Sequence, residues 1–361
     1  MDFIKLAEDN GAGAVSTKLT MLVQPMKSIR KMYCEKSYYN FNPADKRNDF
    51  EEGLELVRKA REATDIVLWT NMAGPGEDTD GWVKLGKALE QAGADVLELN
   101  FNCPNMGTTP EGGIVFGAGV GKNPDLCYLV TNEVKKAVNI PVYPKVTCDC
   151  ADIAAVYRAV ERAGADGVVI NAGYTGAPPI DIFNGGRLKM KGLTKCSYGG
   201  VVGHINKPYS NRLVGLCAQT TGLTIAGGGG ISDWKDAVES IMFGATHTTV
   251  CSIIINEGFT YLKKLNEGLE RFMEENGYKT LSDMRGLALN NICETREIVD
   301  FNVKVPPTFD HYKCIGCGNC EKLGCCNAIE LKDKKALLIS EEKCQYCGLC
   351  AAVCPKDAIS F

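Results

Sequence analysis

The feature that most constrains this 361-residue chain is a doubled cysteine pattern at its carboxyl end. Nine of the eighteen cysteines lie in the last 48 residues, from Cys314 to Phe361. They form two runs with the spacing Cys-x2-Cys-x2-Cys, and the second run continues with x3-Cys-Pro. In such runs three thiolates bind one 4Fe-4S cluster, and the fourth cysteine binds the neighbouring cluster. The pattern therefore predicts a small domain that holds two 4Fe-4S clusters.

The spacing also predicts which cysteines share a cluster. The first set is Cys314, Cys317, Cys320 and Cys354, and the second is Cys344, Cys347 and Cys350 with a fourth thiolate from the first run. Regular spacing would put that fourth thiolate at position 324, which is Gly324, so the candidates are Cys325 and Cys326. We prefer Cys325, because it needs one inserted residue and Cys326 needs two. A pair of zinc sites is the alternative, since Cys-x2-Cys pairs also suit tetrahedral zinc, but a doubled run of three cysteines plus one, ending in Cys-Pro, is typical of 4Fe-4S clusters.

The preceding residues alternate amphipathic helices with short β-rich segments, which is typical of a parallel α/β sheet. Seven strands are predicted, at 14–19, 65–73, 96–102, 142–147, 167–173, 223–228 and 247–253. A (β/α)₈ barrel needs eight, so we expect the first barrel strand to be absent, upstream of Met1. The predicted fold class is thus an α/β barrel of this type with a small α+β ferredoxin-like domain. The predicted boundaries are 1–295 for the barrel, 296–312 for a linker and 313–361 for the cluster domain.

Composition excludes several classes of protein. With 45% hydrophobic and 23% charged residues the chain can form a large buried core. It has no apolar run long enough to cross a membrane and no recognisable signal peptide, so we expect a cytoplasmic protein. A net charge of −4 offers no basic surface for nucleic acid.

Active sites of (β/α)₈ barrels lie at the carboxyl ends of the strands. The polar or glycine residues predicted there are Thr17, Lys18, Asn71, Asn100, Lys145, Asn171, Gly228, Gly229, Gly230, Cys251 and Ser252. Glycine-rich loops after the last two strands commonly bind a phosphate. A phosphorylated cofactor that couples two-electron chemistry to one-electron clusters is a flavin, so the sequence predicts FMN.

Several segments carry a family resemblance. The segment Asn100-Phe-Asn-Cys-Pro-Asn105 resembles a motif of the dihydroorotate and dihydropyrimidine dehydrogenases, which are FMN enzymes on (β/α)₈ barrels. AVSTK (14–18), YPKVT (143–147), INAGYTG (170–176), YGGVVG (198–203), AGGGGI (226–231) and VCS (250–252) resemble other motifs of that family in the same order. A barrel joined to a two-cluster domain is similar to the catalytic subunits of bacterial NAD-dependent dihydropyrimidine dehydrogenases. The resemblance implies an oxidoreductase acting on CH–CH groups, which reduces the 5,6 C=C bond of uracil or thymine or catalyses the reverse reaction.

The resemblance also implies roles for individual residues. Cys103 would donate a proton to the substrate as a thiol with a pKa near the operating range. Lys18 and Lys145 would place positive charge beside the flavin, and Gly199 and Gly200 would belong to its site. The substrate would contact residues with side-chain amides, namely Asn40 (or Asn42), Asn100, Asn102, Asn105 and Asn171. Asn102 and Ala172 stand where pyrimidine-reducing members usually have Ser and Thr, at two positions that would contact the substrate.

No dinucleotide-binding fingerprint is present, so NAD(P)H is expected to bind elsewhere. We expect a separate NAD(P)H-oxidising FAD and iron–sulfur subunit, or a ferredoxin, to reduce the clusters, and we expect an oligomer. The alternative enzyme is a dihydroorotate dehydrogenase or another reductase of cyclic amides. The alternative of a different class is a non-catalytic electron-transfer subunit.

Overall fold

The computed structural model describes residues 2–24, 28–35, 39–104, 115–171, 173–298 and 302–361. The chain divides into two compact units, Met1–Ile292 and Cys293–Phe361. Each unit has its own cluster of buried hydrophobic side chains.

A parallel sheet whose strands follow the order of the chain forms the centre of the larger unit. Its strands are β1 (Ala14–Ser16), β2 (Val67–Ala73), β3 (Val96–Phe101), β4 (Val142–Val146), β5 (Gly167–Asn171), β6 (Thr224–Gly228) and β7 (His247–Thr249). Each strand pairs in parallel with the next. These are the seven predicted strands, and the predicted fold class is confirmed. Every residue of β3 is buried, as expected for a strand covered on both faces.

The sheet is open in the part of the chain that the structure describes, because β1 and β7 lie at its two ends. A short strand, Thr20–Met21, continues β1 and also pairs with β2. On its other side, the backbone of Asn48 donates to the carbonyl of Leu19 (2.8 Å) and accepts from the amide of Met21 (3.1 Å). Asn48 therefore covers part of the strand edge that faces away from β2.

Helices at the two ends of the sheet contact each other. The ring of Phe3, in helix Asp2–Asp9, stacks on Phe259 with 5.8 Å between centroids. Nδ2 of Asn266, in helix Tyr261–Asn276, donates to the carbonyl of Gly11 at 2.9 Å. The outer layer of the fold thus joins the first and last strands although they are not paired with each other.

Amphipathic helices cover the outside of the sheet, and side-chain caps fix where several of them begin. The Asp49 carboxylate accepts from the amide of Glu52, whose carboxylate accepts from the amide of Asp49, which is a capping box. The helices are Phe50–Ala63, Thr79–Ala92, Ala118–Gly121, Pro124–Ala137, Ile153–Arg162, Lys207–Thr220, Trp234–Met242, Ser252–Glu257 and Leu281–Met284, with 3₁₀ turns at Ile182–Asn184, His204–Asn206 and Leu287–Asn291. Among the described residues, none of the helices combines the length and the apolar character needed to cross a bilayer.

A second, antiparallel sheet carries residues of the predicted site. Its strands, in spatial order, are Lys31–Glu35, Tyr39–Ala44, Gly199–Val202 and Thr175–Gly176. Gly200 pairs with Asn42, and a Cβ at the neighbouring Gly199 would lie 2.6 Å from the Asn42 carbonyl. The close backbone approach therefore requires glycine at 199. A short hairpin pairs Ile180–Asp181 with Arg187–Leu188.

The smaller unit contains two short antiparallel strand pairs and one helical turn. Thr308–Phe309 pairs with Ile359–Ser360, and Ile329–Lys332 pairs with Lys335–Leu338. The 3₁₀ turn Thr295–Glu297 and the helix Leu349–Ala352 complete the regular elements. Thr308 and Phe309 fall within the segment expected to be a linker, so this part of it belongs to the fold of the smaller unit. Their pairing with the last strand of the chain could not be recognised from two residues of sequence.

Candidate active site and cluster-binding region

Cys103 lies just after β3 in a loop that the side chain of Asn100 holds in place. Asn100 Oδ1 accepts hydrogen bonds from the amides of Asn102 (3.1 Å) and Cys103 (2.9 Å). Asn100 Nδ2 donates to Asn71 Oδ1 (3.0 Å) and lies 3.7 Å from Cys103 Sγ. Its donors and acceptors all have protein partners, so Asn100 positions the Cys103 loop. The substrate contact of Asn100 stays a prediction.

A buried carboxylate that sequence analysis missed connects the strand ends. Glu98 is 3% exposed. Its Oε1 accepts from Lys145 Nζ (3.2 Å) and from Asn71 Nδ2, and its Oε2 accepts from Ser16 Oγ (3.3 Å). The available signal was that Glu98 is the one charged residue of β3, since buried charges are paired. Glu98 thus ties β1, β2 and β4 to β3 at the predicted site.

The protonation states follow from burial and charge. Burial raises the pKa of the Cys103 thiol, and the positive charges of Arg47, Lys145 and Lys18 offset only part of this increase. The thiol therefore stays protonated at neutral pH, and the expected pKa near the operating range is too low. Burial lowers the pKa of Lys145, but the adjacent Glu98 carboxylate more than compensates, so its pKa is raised and the ammonium stays charged.

We expect Glu98→Gln to lower the free energy of unfolding of the larger unit by about 3 kcal/mol, because it leaves the Lys145 charge unpaired in the interior. Tryptophan fluorescence during denaturant unfolding measures this unit, since Trp69, Trp82 and Trp234 all lie in it. The double variant Glu98→Gln/Lys145→Met removes both charges and should recover part of the loss. An unchanged unfolding midpoint for Glu98→Gln would show that the ion pair contributes nothing.

Lys18, the other predicted cation of the flavin site, is bound to an acidic residue. Its Nζ forms an ion pair with Asp45, and Asp45 Oδ1 also accepts from Arg30 Nε at 3.0 Å. Burial alone would raise the pKa of Asp45, but hydrogen bonds from Arg30 and Lys18 outweigh it and lower the pKa. Lys18 and Arg30 therefore share the single carboxylate of Asp45.

Four buried polar atoms near these residues have no hydrogen-bond partner among the described residues: Thr17 Oγ1, Asn40 Oδ1, Arg47 Nη1 and Asn102 Oδ1. An unsatisfied buried polar atom costs about 1–3 kcal/mol. Three of these residues, Thr17, Asn40 and Asn102, were predicted site residues, whereas Arg47 was missed because it lies outside any periodic segment. Unsatisfied atoms at a strand-end site are what a bound ligand would satisfy.

Asn40 and Asn42 were the two alternatives for a substrate amide in the antiparallel sheet, and Asn40 is better placed for that role. It is fully buried, and its Nδ2 donates to Oδ1 of Asn256 at 3.2 Å. This bond orients the amide so that Oδ1, an acceptor, is the unsatisfied atom. Asn42 is partly exposed and pairs through its backbone with Gly200.

The predicted phosphate loops begin side by side. Gly228, at the end of β6, is in register with Thr249 of β7, so Gly229–Gly230 and Cys251–Ser252 follow adjacent strands. Gly230 has φ +94°, and a Cβ there would lie 2.4 Å from the Lys207 amide nitrogen. Only glycine fits this backbone, and bare backbone of this kind lets a phosphate approach closely.

The remaining predicted residues that the structure describes lie in the two sheets. Asn171 ends β5 in register with Gly228. Gly199 and Gly200 lie in the antiparallel sheet with Asn40. Asn105 and Ala172 lie outside the described residues. Glu98 accepts hydrogen bonds from Asn71 and Lys145. Asn100 bonds to Asn71 and to the backbone of Cys103, so these residues form one connected group.

In the smaller unit, one cavity is lined by the four cysteines predicted to bind the first cluster. Its lining includes Cys314, Cys317, Cys320 and Cys354, with the apolar side chains of Phe309, Leu331 and Ile359. Four thiols around an apolar cavity are the donor set of a 4Fe-4S cluster. The amide of Ala358 donates to Cys354 Sγ at 3.3 Å, a contact of the kind that tunes cluster potentials.

The second set of thiols bears on the choice between Cys325 and Cys326. Burial and the neighbouring thiols of Cys347 and Cys326 raise the pKa of Cys325. Cys347 belongs to the predicted second set, together with Cys344, whose Sγ accepts from the amide of Tyr346 at 3.4 Å. The contact between Cys325 and Cys347 favours Cys325 as the fourth ligand.

Comparison with known families is consistent with this geometry. Residues 47–273 match the family model described as dihydroorotate dehydrogenase, and residues 337–360 match the model described as 4Fe-4S binding domain. A solved structure of dihydroorotate dehydrogenase from Eimeria tenella in complex with ferulenol superposes with a TM-score of 0.56 at 17% identity. It covers 70% of this chain and 72% of that one, and it shows a shared fold.

Two curated relatives are more similar in sequence. The NAD-dependent dihydropyrimidine dehydrogenase subunit PreA of Escherichia coli (strain K12) is 31% identical over 275 residues, which are 75% of this chain. The match spans 64% of the length of PreA. The catalytic subunit of dihydroorotate dehydrogenase B (NAD(+)) from Thermoplasma acidophilum is 31% identical over 282 residues, covering 78% of this chain and 88% of that protein.

Proposed function

The chain belongs to the dihydroorotate dehydrogenase family, and we propose that it is an FMN-dependent oxidoreductase that reduces the 5,6 C=C bond of a pyrimidine, or catalyses the reverse reaction. Electrons would pass between FMN and a redox partner through two 4Fe-4S clusters. Uracil or thymine is the leading substrate, in line with the name of PreA. Dihydroorotate is the alternative, in line with the name of the Thermoplasma acidophilum relative.

The observation that carries this proposal is the position of Cys103, which Asn100 holds at the carboxyl end of the parallel sheet, where burial raises the pKa of the thiol. Reduction of a polarised C=C bond needs a hydride at one carbon and a proton at its neighbour. Cys103 would give its proton to that neighbouring carbon and recover one from solvent afterwards. In the oxidative direction the thiolate would remove the same proton. A raised pKa suits the reductive direction, because it keeps the acid loaded at neutral pH.

The residues of the larger unit fit a bound flavin. Lys145 and Asn71 would contact the ring, and Thr17 and Asn171 would supply further hydrogen bonds from neighbouring strands. Gly228, Gly229 and Gly230 with Cys251 and Ser252 would hold the phosphate through their backbone. FMN, when bound, exchanges the hydride with the substrate. The unsatisfied Thr17 Oγ1 and the glycine backbone that no larger residue fits are the observations that support this placement.

The cluster unit implies a partner. Two clusters carry single electrons and cannot by themselves exchange hydride with NAD(P)H. We infer a separate NAD(P)H-oxidising flavoprotein subunit or a ferredoxin as partner, which agrees with the description of PreA as a subunit. A cytoplasmic location and an oligomeric state remain predictions.

Anaerobic turnover tests the proposal. The holoprotein, supplied with a reduced viologen as electron source, should convert uracil or orotate to its dihydro form. Heat-inactivated protein and protein from which the flavin has been removed are the controls, and neither should give product. Failure of the flavin-loaded, iron-loaded protein to reduce either pyrimidine, or to oxidise their dihydro forms, would contradict the proposed activity.

A further inference from the structure

A hydrogen-bond network joins the first predicted phosphate loop, residues 229–231, to the side chain of His204. His204 Nδ1 lies 3.1 Å from the carbonyl oxygen of Gly230 and 2.8 Å from Ser232 Oγ. The Ser232 hydroxyl in turn donates to Asp236 Oδ2 at 2.8 Å. One imidazole thus connects the backbone of the loop to a carboxylate.

The partners of His204 decide which of its ring nitrogens carries hydrogen. Burial alone would raise the pKa of Asp236, but hydrogen bonds from Ser232 and Lys207 outweigh it and lower the pKa, so the carboxylate is charged. A charged acceptor takes the single hydroxyl hydrogen of Ser232. The three atoms that the structure places near Nδ1 are then all acceptors, since Asp236 Oδ2 lies 3.5 Å from it. Nδ1 therefore carries a hydrogen, shared between the Gly230 carbonyl and Ser232 Oγ, whether the imidazole is neutral or charged.

The loop itself presents backbone donors. Among the described residues, no hydrogen-bond partner is found for the amides of Gly229, Gly230 and Ile231. Successive backbone amides of this kind in a turn commonly bind an anion. A trans peptide bond places its C=O and N–H on opposite sides. A bond that holds the Gly230 carbonyl therefore also fixes the direction of the Ile231 amide.

The segment that carries His204 is fixed by polar contacts. Asn206 Nδ2 donates to the carbonyl of Val201 at 2.7 Å, which ties this segment to the antiparallel sheet. Lys207 Nζ forms an ion pair with Asp236 at 3.0 Å. The His204 side chain is 45% exposed, so its bonds rather than packing hold the ring against the loop.

We propose that His204 is a positioning residue for the phosphate of the bound flavin. Its Nδ1 hydrogen holds the Gly230 carbonyl, and the Ile231 amide on the other side of the same peptide bond is thereby kept ready to donate to a phosphate oxygen. This inference rests on the proposed function, because it takes FMN as the ligand of the loop. It gives His204 a share in the affinity for the phosphate and none in the affinity for the flavin ring.

Binding of FMN and of riboflavin, which lacks the phosphate, tests the proposal on full-length protein that is loaded with iron and freed of flavin. Quenching of flavin fluorescence gives both dissociation constants. Wild-type protein should bind FMN at least about tenfold more tightly than riboflavin, because only FMN offers charged acceptors to the loop. His204→Ala should weaken FMN binding roughly five- to tenfold, the effect of one lost hydrogen bond, and should change riboflavin binding by less than about twofold. His204→Asn, whose side-chain amide keeps an N–H donor near the place of Nδ1, should restore most of the FMN affinity.

Lys235→Gln is the matched control, because it removes a cation from the helix that follows the loop, Trp234–Met242, where its side chain lies over the ring of Trp234. It should leave both dissociation constants unchanged. Equal weakening of FMN and riboflavin by His204→Ala, an unchanged affinity of that variant for FMN, or a His204→Asn variant no better than His204→Ala would each overturn the proposal. Iron-loaded wild-type protein that binds neither flavin would contradict the proposed function itself, and this inference with it.

Discussion

Cys103→Ala should lower turnover of the pyrimidine by roughly 10²–10⁴-fold, the usual contribution of one positioned acid. Reduction of the flavin through the clusters should proceed at the wild-type rate, because no proton is delivered to a ring carbon in that half-reaction. Cys103→Ser should retain part of the activity, since a hydroxyl is a weaker acid in the same place. Stopped-flow measurement of flavin reduction, followed by reoxidation with the pyrimidine, separates the two halves.

Cys217→Ala is the matched control for this experiment. Cys217 is fully buried in the larger unit, whereas Cys103 is partly buried, and it lies in helix Lys207–Thr220, where its sulfur contacts Thr221. Both half-reactions should be unaffected in this variant. If Cys103→Ala turned over at the wild-type rate, or if it slowed reduction of the flavin as much as its reoxidation, Cys103 would not be the proton donor.

Cys325→Ser should lower the iron content from about eight to about four atoms per chain, because it removes the fourth ligand of the second cluster. The flavin should no longer receive electrons once the second cluster is lost. The first cluster should remain, because its four thiols line the cavity described above. Iron analysis and electron paramagnetic resonance of the reduced protein measure both effects after anaerobic reconstitution.

Cys326→Ser is the internal control, since it changes the adjacent thiol by the same single atom. It should keep about eight irons and normal electron transfer. Loss of four irons in Cys326→Ser but not in Cys325→Ser would assign the ligand to Cys326. Two zinc ions and no iron in the wild-type protein would contradict the cluster prediction altogether.

The parallel sheet could be predicted from sequence because its strands are short apolar segments that end in polar residues or glycine. The repeated junctions before Asn100 and Asn171 located β3 and β5 to within two residues. Sequence also located Cys103 and the cysteines that line the cavity of the smaller unit. These features depend on local spacing, which a sequence displays directly.

The sequence could not show which polar groups form hydrogen bonds or ion pairs with one another. Asn100 was expected to contact substrate, and sequence gave no sign that its amide also binds Asn71 and the backbone of the Cys103 loop. Glu98 and Arg47 were missed because their importance depends on partners, or the lack of them, contributed by distant segments. The pairing of Lys18 with Asp45 likewise brings together residues 27 positions apart.

Release and quantification of the bound flavin test the central claim most directly. Protein purified without oxygen should show flavin absorbance beneath the broad iron–sulfur absorbance, and denaturation should release about one FMN per chain. Reconstituted protein that is folded and loaded with iron, yet binds no FMN when FMN is supplied, would contradict the assignment of the larger unit as a flavin-dependent active site.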